Sequence, residues 1–101
     1  MARTEALFRD ANEAIERGLW PGEERETVRF RCECAQLDCQ SAVELSLAEY
    51  EAVREDGRHF VLVPGHESPQ VEVVIERNDR YIVVAKVGMG GAEADRTDPR
   101  G

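Results

Sequence analysis

All three cysteines of this chain fall inside one short stretch, RCECAQLDCQ at 31–40. No other feature limits the fold as sharply. An odd number of thiols cannot pair off within the chain, and in a reducing compartment closely spaced cysteines serve metal binding or catalysis more often than cross-linking. From Thr27 the sequence runs with a period of two. Val28, Phe30, Cys32 and Cys34 alternate with Arg29, Arg31 and Glu33, which predicts a strand carrying thiols and apolar groups on one face. Beyond AQLD, Cys39, Ser41, Val43 and Leu45 share one parity and Glu44 takes the other. A returning strand therefore presents Cys39 to the same side, and a hairpin with a cysteine-rich tip results.

Zinc takes four ligands in a tetrahedron, with Zn–S near ~2.3 Å and Zn–N near ~2.0 Å. On an extended strand the Cα atoms of Cys32 and Cys34 lie roughly 6.6 Å apart, close enough for both side chains to converge on one ion. Cys39 is brought back by the hairpin. The fourth ligand must come from elsewhere, and the chain has two histidines. His66, in VPGHESP, is favoured because Pro64 and Gly65 form a rigid loop end from which an imidazole can be aimed. His59 follows Gly57 and Arg58, a context in which histidine is commonly exposed or capping.

The remaining segments read as follows. Thr4 is a candidate N-cap for the helix EALFRDANEAIER, whose Leu7, Phe8, Ala11, Ala14 and Ile15 fall on one side, with Gly18 as its stop. The pairs Glu5/Arg9 and Glu13/Arg17 stand at i,i+4 and read as a solvated face. LWPGEERE is a linker anchored by Leu19 and Trp20. Ser46 and Glu49 form the S-x-x-E capping box of a second helix, LAEYEAVRED, with Leu45 and Tyr50 as its hydrophobic staple and Gly57 as a left-handed C′ residue. HFVLV suits an interior strand. VEVVIE and YIVVAKV flank RNDR, a tight turn in which Asn78 and Asp79 tolerate positive φ. That hairpin sets Ile75 against Ile82 and Val73 against Val84 on the core side, with Val74 opposite Val83 on a reverse face covered in part by the N-terminal helix. The expected organisation is an N-terminal helix and linker at 1–26, an α+β domain at 27–88, and a disordered tail at 89–101.

At 101 residues with a net charge of −8, the chain encloses one modest core, and its summed field disfavours unspecific attraction to nucleic acid or anionic lipid. The first thirty residues hold no continuous apolar run, so neither a signal peptide nor a spanning helix is expected and the cytoplasm is the default location.

The elements CECAQLDC, LAEYEAVR, PGHE and RYIVVAK occur in that order between about Phe30 and Lys86. The set resembles a family of small, mostly uncharacterised zinc-ribbon-like proteins of high-GC bacteria, which carry C-x-C-x4-C, L-x-E-Y-E-A-V-R, P-G-H-E and a final hairpin near R-Y-x-V-V. The resemblance implies a zinc-ribbon-like α+β fold with Cys32, Cys34, Cys39 and His66 as ligands of Zn2+. It implies no activity.

Rival readings of the thiols are a reduced, unliganded set, a Cys32–Cys39 or intermolecular disulfide, and an iron–sulfur cluster, which ordinarily asks for four thiolates. Three thiolates and a water would make a hydrolytic site with Glu67 as base, but no deaminase-like H-x-E with P-C-x-x-C and no nucleophile–base pair accompanies them. An enzyme is therefore not expected. The expected role is a structural zinc site in a protein-interaction or regulatory adaptor with an unknown protein partner, as a monomer or small homo-oligomer. One alternative is nucleic-acid binding through Arg29, Arg31, Arg58, Arg77 and Arg80, unless those arginines pair with Glu33, Glu44, Glu72 and Glu76. The other is a zinc–thiolate redox sensor.

Overall fold

A computed structural model describes residues 2–19, 27–36 and 38–100. The element order is α1 (Ala2–Leu19), β1 (Thr27–Arg31), β2 (Ala42–Ser46), α2 (Leu47–Val53), β3 (His59–Leu62), β4 (Glu72–Arg77), β5 (Ile82–Lys86) and α3 (Gly88–Arg96), a small α+β fold. β1 and β2 form an antiparallel pair with Phe30 opposite Val43 and Val28 opposite Leu45. The other sheet is antiparallel throughout, in the order β3-β5-β4. YIVVAKV thus supplies the central strand. HFVLV stands at the side of the ladder, where the free edge of β3 is closed by the backbone N–H of Glu33 donating to the Val61 carbonyl at 2.8 Å.

The three-stranded sheet separates two apolar clusters. On one face Val61 and Val83 meet Phe30, Leu45, Leu47 and Tyr50, with the Phe30 and Tyr50 rings stacked 4.4 Å apart. On the other, Phe60, Leu62, Ile82 and Val84 pack against Cys32, Cys34 and Ala94. Each large side chain so enclosed contributes about 1.5–3 kcal/mol relative to exposure. The start of α2 is as the sequence predicts. Ser46 Oγ accepts from the Glu49 N–H, the Glu49 carboxylate accepts from the Ser46 N–H, and Leu47, Tyr50 and Val53 are buried.

Several expectations are corrected. The tail is not disordered through its length, because α3 occupies Gly88–Arg96 and sets Ala94 into the second cluster. Its small residues are what allow this. A Cβ on Gly91 would stand 2.7 Å from the Lys86 carbonyl oxygen, so glycine there permits close approach to β5. α1 extends from Ala2 to Leu19, so Thr4 is helical rather than a cap and Gly18 lies within the helix. The linker 20–26, with Trp20, lies outside the described residues.

The orientation of α1 is the largest departure. Phe8 is buried and Ile15 half-buried, yet Leu7, Ala11 and Ala14 face outward, while Glu5, Arg9, Asn12, Glu13 and Glu16 are buried. Partners explain the inversion. Glu5 meets Lys86, Glu13 meets Arg54 and Arg100, and Arg9 donates to the Gly57 and Ala94 carbonyls. The helical period measured apolarity, whereas the surface beneath the helix is cationic and rich in carbonyls.

α2 ends at Val53 with Arg54 as C-cap, and Gly57 does not take positive φ. A Cβ at Gly57 would stand 2.6 Å from Asp98 Oδ2 and 2.8 Å from Asp95 Oδ1, side-chain ends that could turn aside. Asn78 and Asp79 also keep negative φ; Asn78 Oδ1 closes the turn instead, accepting from the Arg80 and Tyr81 N–H groups. The β4/β5 register is Val73 to Ala85 and Val74 to Val84, then Glu76 to Val83 after a bulge at Ile75. Val73 and Ile75 consequently stand 53% and 50% exposed rather than lining the core.

Candidate metal centre

The alternation read from Thr27 holds, although β1 ends at Arg31 and both Cys32 and Cys34 lie just beyond it. The chain stays extended there because it is pinned on both sides: the Cys32 N–H donates to the Ser41 carbonyl at 3.1 Å and the Glu33 N–H to Val61. Cys32 and Cys34 are fully buried on one side, and Glu33, also fully buried, lies between them in sequence. Cys39 returns through a turn in which its N–H donates to the Gln36 carbonyl at 3.0 Å, and its own carbonyl accepts from the Arg31 guanidinium at 3.0 Å. Cys39 is partly exposed and precedes β2.

His66 arrives from the far sheet. Gly65, at φ 95°, makes a turn that a residue with a side chain would resist, and the His66 N–H donates to the Val63 carbonyl at 3.0 Å. This turn directs the ring at the thiols. Nδ1 lies 3.6 Å from Cys32 Sγ and 3.7 Å from Cys39 Sγ. The ligand atoms of Cys32, Cys34, Cys39 and His66 all fall within 4.8 Å of one another. In a tetrahedral zinc site the S–N edge is about 3.6 Å and the S–S edge about 3.8 Å, from the bond lengths alone. The donor set fits a thiophilic divalent ion. His59 is not part of it; its Nε2 lies 3.5 Å from Asp56 Oδ2.

Burial raises the Cys32 thiol well above its ordinary range, with the neighbouring cysteines adding to the rise, and burial likewise raises Cys34. At Cys39 burial acts in the same direction, but hydrogen bonds from the backbone of Ser41 and from the Cys34 thiol outweigh it and the thiol is lowered. Three thiols so close resist losing their protons together, and a cation held among them would supply the missing compensation. The Val63 N–H donates to Cys32 Sγ at 3.2 Å, a contact of the kind that steadies a metal-bound sulfur.

The sequence reading missed Asn12 and gave Glu33 only as an alternating carboxylate for arginines to meet. Glu33 accepts from Asn12 Nδ2 at 2.8 Å, from the Val61 N–H at 3.0 Å and from the Tyr50 hydroxyl at 3.2 Å. Burial pushes its carboxyl up to about 7 against these bonds, which pull it down. Asn12 also donates to the Arg31 carbonyl and accepts from the Arg31 N–H, so one amide closes the free edge of β1. Alternation announced that Glu33 turns away from the thiols; a polar partner waiting in α1 had no signal in a helix sorted by apolarity.

Glu67 accepts from the Gly65 N–H at 2.9 Å and lies 3.8 Å from Arg77, so it braces the histidine turn. Three of the five arginines, Arg58, Arg77 and Arg80, form ion pairs, and none of these is with Glu33, Glu44, Glu72 or Glu76. Arg80 meets Glu49 and Arg58 meets Asp95, while Arg31 lies over the Phe8 ring. No helix among the described residues is long and apolar enough to cross a membrane.

Fold and site together define a small α+β domain carrying a Cys3His group suited to a metal ion. No family model matches the chain, and no significant match to a curated protein or to a solved structure was found.

Proposed function

We propose that this chain is a zinc-binding domain of the zinc-ribbon-like kind, in which the ion is structural and the protein acts as an interaction or regulatory adaptor. The observation that carries the reading is the convergence of three sulfurs and one imidazole nitrogen within 4.8 Å from two separate stretches of chain. The ion would be held by Cys32, Cys34, Cys39 and His66, and it would supply closure rather than chemistry, since four protein ligands leave no coordination position for a substrate. Zinc is the choice because soft thiolates with one imidazole suit it better than magnesium or calcium. It would join the cysteine hairpin to the turn after β3, adding a direct link to the apolar packing and the Val61 and Val63 hydrogen bonds that already bring them together. In a domain of this size such closure adds several kcal/mol, on the order of the whole net stability.

The adaptor role draws support from the surface. Val73, Ile75 and Val87 are exposed along and beside β4, the outer strand whose far edge no described element pairs with. An apolar strip beside an open strand edge suits protein contact. The ion pairs of Arg58, Arg77 and Arg80, together with the net charge of −8, leave little free cationic surface for nucleic acid. A reducing cytoplasm would keep the thiolates available.

Native mass spectrometry of protein purified without added metal tests the proposal. One zinc per chain is expected, together with loss of near-ultraviolet signal on chelation. A folded chain with no stoichiometric metal would overturn the zinc reading, and hydrolytic turnover dependent on the ion would overturn the structural one.

A further inference from the structure

The underside of α1 is built from charge. Glu5 is fully buried, and its carboxylate lies 2.5 Å from Lys86 Nζ on β5, while Glu72 at the start of β4 meets the same ammonium at 2.8 Å. These side chains are 0%, 1% and 2% exposed for Glu5, Glu72 and Lys86. Two carboxylates therefore face a single ammonium away from water, and neither Glu5 oxygen has a directed hydrogen bond. Lys86 and Glu72 are the charged groups facing Glu5 from the elements packed there. With all three ionised, the cluster retains one uncompensated negative charge in a low-dielectric setting, a costly state that a single proton relieves.

We infer that α1 is a proton-linked latch: docking its Glu5 beside Glu72 and Lys86 takes up a proton, so the helix is held firmly in mildly acidic solution and loosens in mildly alkaline solution. Burial, opposed by Lys86 and reinforced by Glu72, raises Glu5 from 4.5 to about 7 in the docked helix. A group whose proton is held more tightly when docked favours docking fully below its free value, and that contribution is lost as pH rises through the docked one. The window is thus about 4.5 to 7. What loosening uncovers is specific. It frees the Arg31 peptide edge that Asn12 covers, and with it the cationic surface of Lys86 and Arg54. The latch does not depend on the identity of the metal, nor on the metal reading.

Hydrogen exchange on the full chain, saturated with zinc and corrected for intrinsic exchange, tests it at pH 5.5 and 8.5. The opening equilibrium of the α1 amides is expected to rise on the order of tenfold across this range while β5 stays protected. Loss of metal at low pH would loosen the chain in the opposite direction and is thereby distinguished. Burial and Glu51 also raise Glu16 of α1 to about 7, so the variants are made in a Glu16→Gln background. There Glu5→Gln removes the titrating group, Glu72→Gln leaves Glu5 and Lys86 as a balanced pair, and either should flatten the α1 response to within about twofold. If the unsubstituted chain has the same α1 protection at both pH values, the latch is wrong. If the response survives in both variants, it is equally wrong. Should one variant fail to fold, the other decides.

Discussion

Asn12 Nδ2 and Glu33 Oε2 lie 2.8 Å apart, both buried, and tie the first helix to the residue between two candidate metal ligands. Asn12→Ala removes this bond and the pair it makes with Arg31, leaving buried groups without partners. A loss of about 2–4 kcal/mol is expected, from roughly 1–3 kcal/mol for each orphaned group. Urea unfolding with metal present measures it, and a loss under about 0.5 kcal/mol would contradict the contact.

His66→Ala should weaken zinc retention by more than the ~10–100-fold that follows loss of an outer-sphere partner, because a direct ligand is removed. Competition against a chromophoric chelator measures the change. His66→Cys, offering a thiolate, should retain one zinc per chain, and His59→Ala should leave retention unchanged.

Glu49 caps α2 and pairs with Arg80, and hydrogen bonding to that guanidinium holds its carboxyl down at about 2. The folded value lies below the unfolded one, so the stabilisation is complete above about 4.5 and disappears as pH falls toward 2. Glu49→Gln should therefore cost about 1 kcal/mol at pH 6, after allowance for solvent screening of a partly exposed pair, and almost nothing at pH 2. Unfolding at the two pH values, compared between Glu49→Gln and the unsubstituted chain, checks the difference.

Gly91→Ala would put a Cβ 2.7 Å from the Lys86 carbonyl oxygen, which is backbone and cannot swing aside. α3 must lift from β5, at a cost of about 1–3 kcal/mol typical of overpacking. Loss of helical circular dichroism with the strands retained is the expected signature; an unperturbed melt would show that α3 does not pack as described.

What the sequence disclosed, and what it withheld, divides by the range of the interaction. Period two placed Cys32 and Cys34 on one side, the S-x-x-E spacing placed the start of α2, and Pro64-Gly65 marked the turn that aims His66. These are local rules of backbone geometry. The β4/β5 register failed because a bulge at Ile75 shifts the pairing, and such a bulge depends on what lies opposite. α1 failed for a related reason: Leu7, Ala11 and Ala14 form a convincing apolar stripe, yet Lys86 and Arg54 select the acidic side of the helix. α3 escaped notice because GMGGAEADR lacks bulk, and its small residues fit only once β5 lies beneath them.

The order of the candidate ligands along the chain has a consequence for biosynthesis. A ribosome releases the three thiols well before the imidazole, and that imidazole reaches them only after β3 has formed and Gly65 has turned the backbone. Four-ligand capture of an ion would therefore wait until His66 has emerged and the turn at Gly65 has brought it to the thiols. On the proposed metal reading, a half-made chain would offer an ion three thiols and a finished one the full Cys3His set.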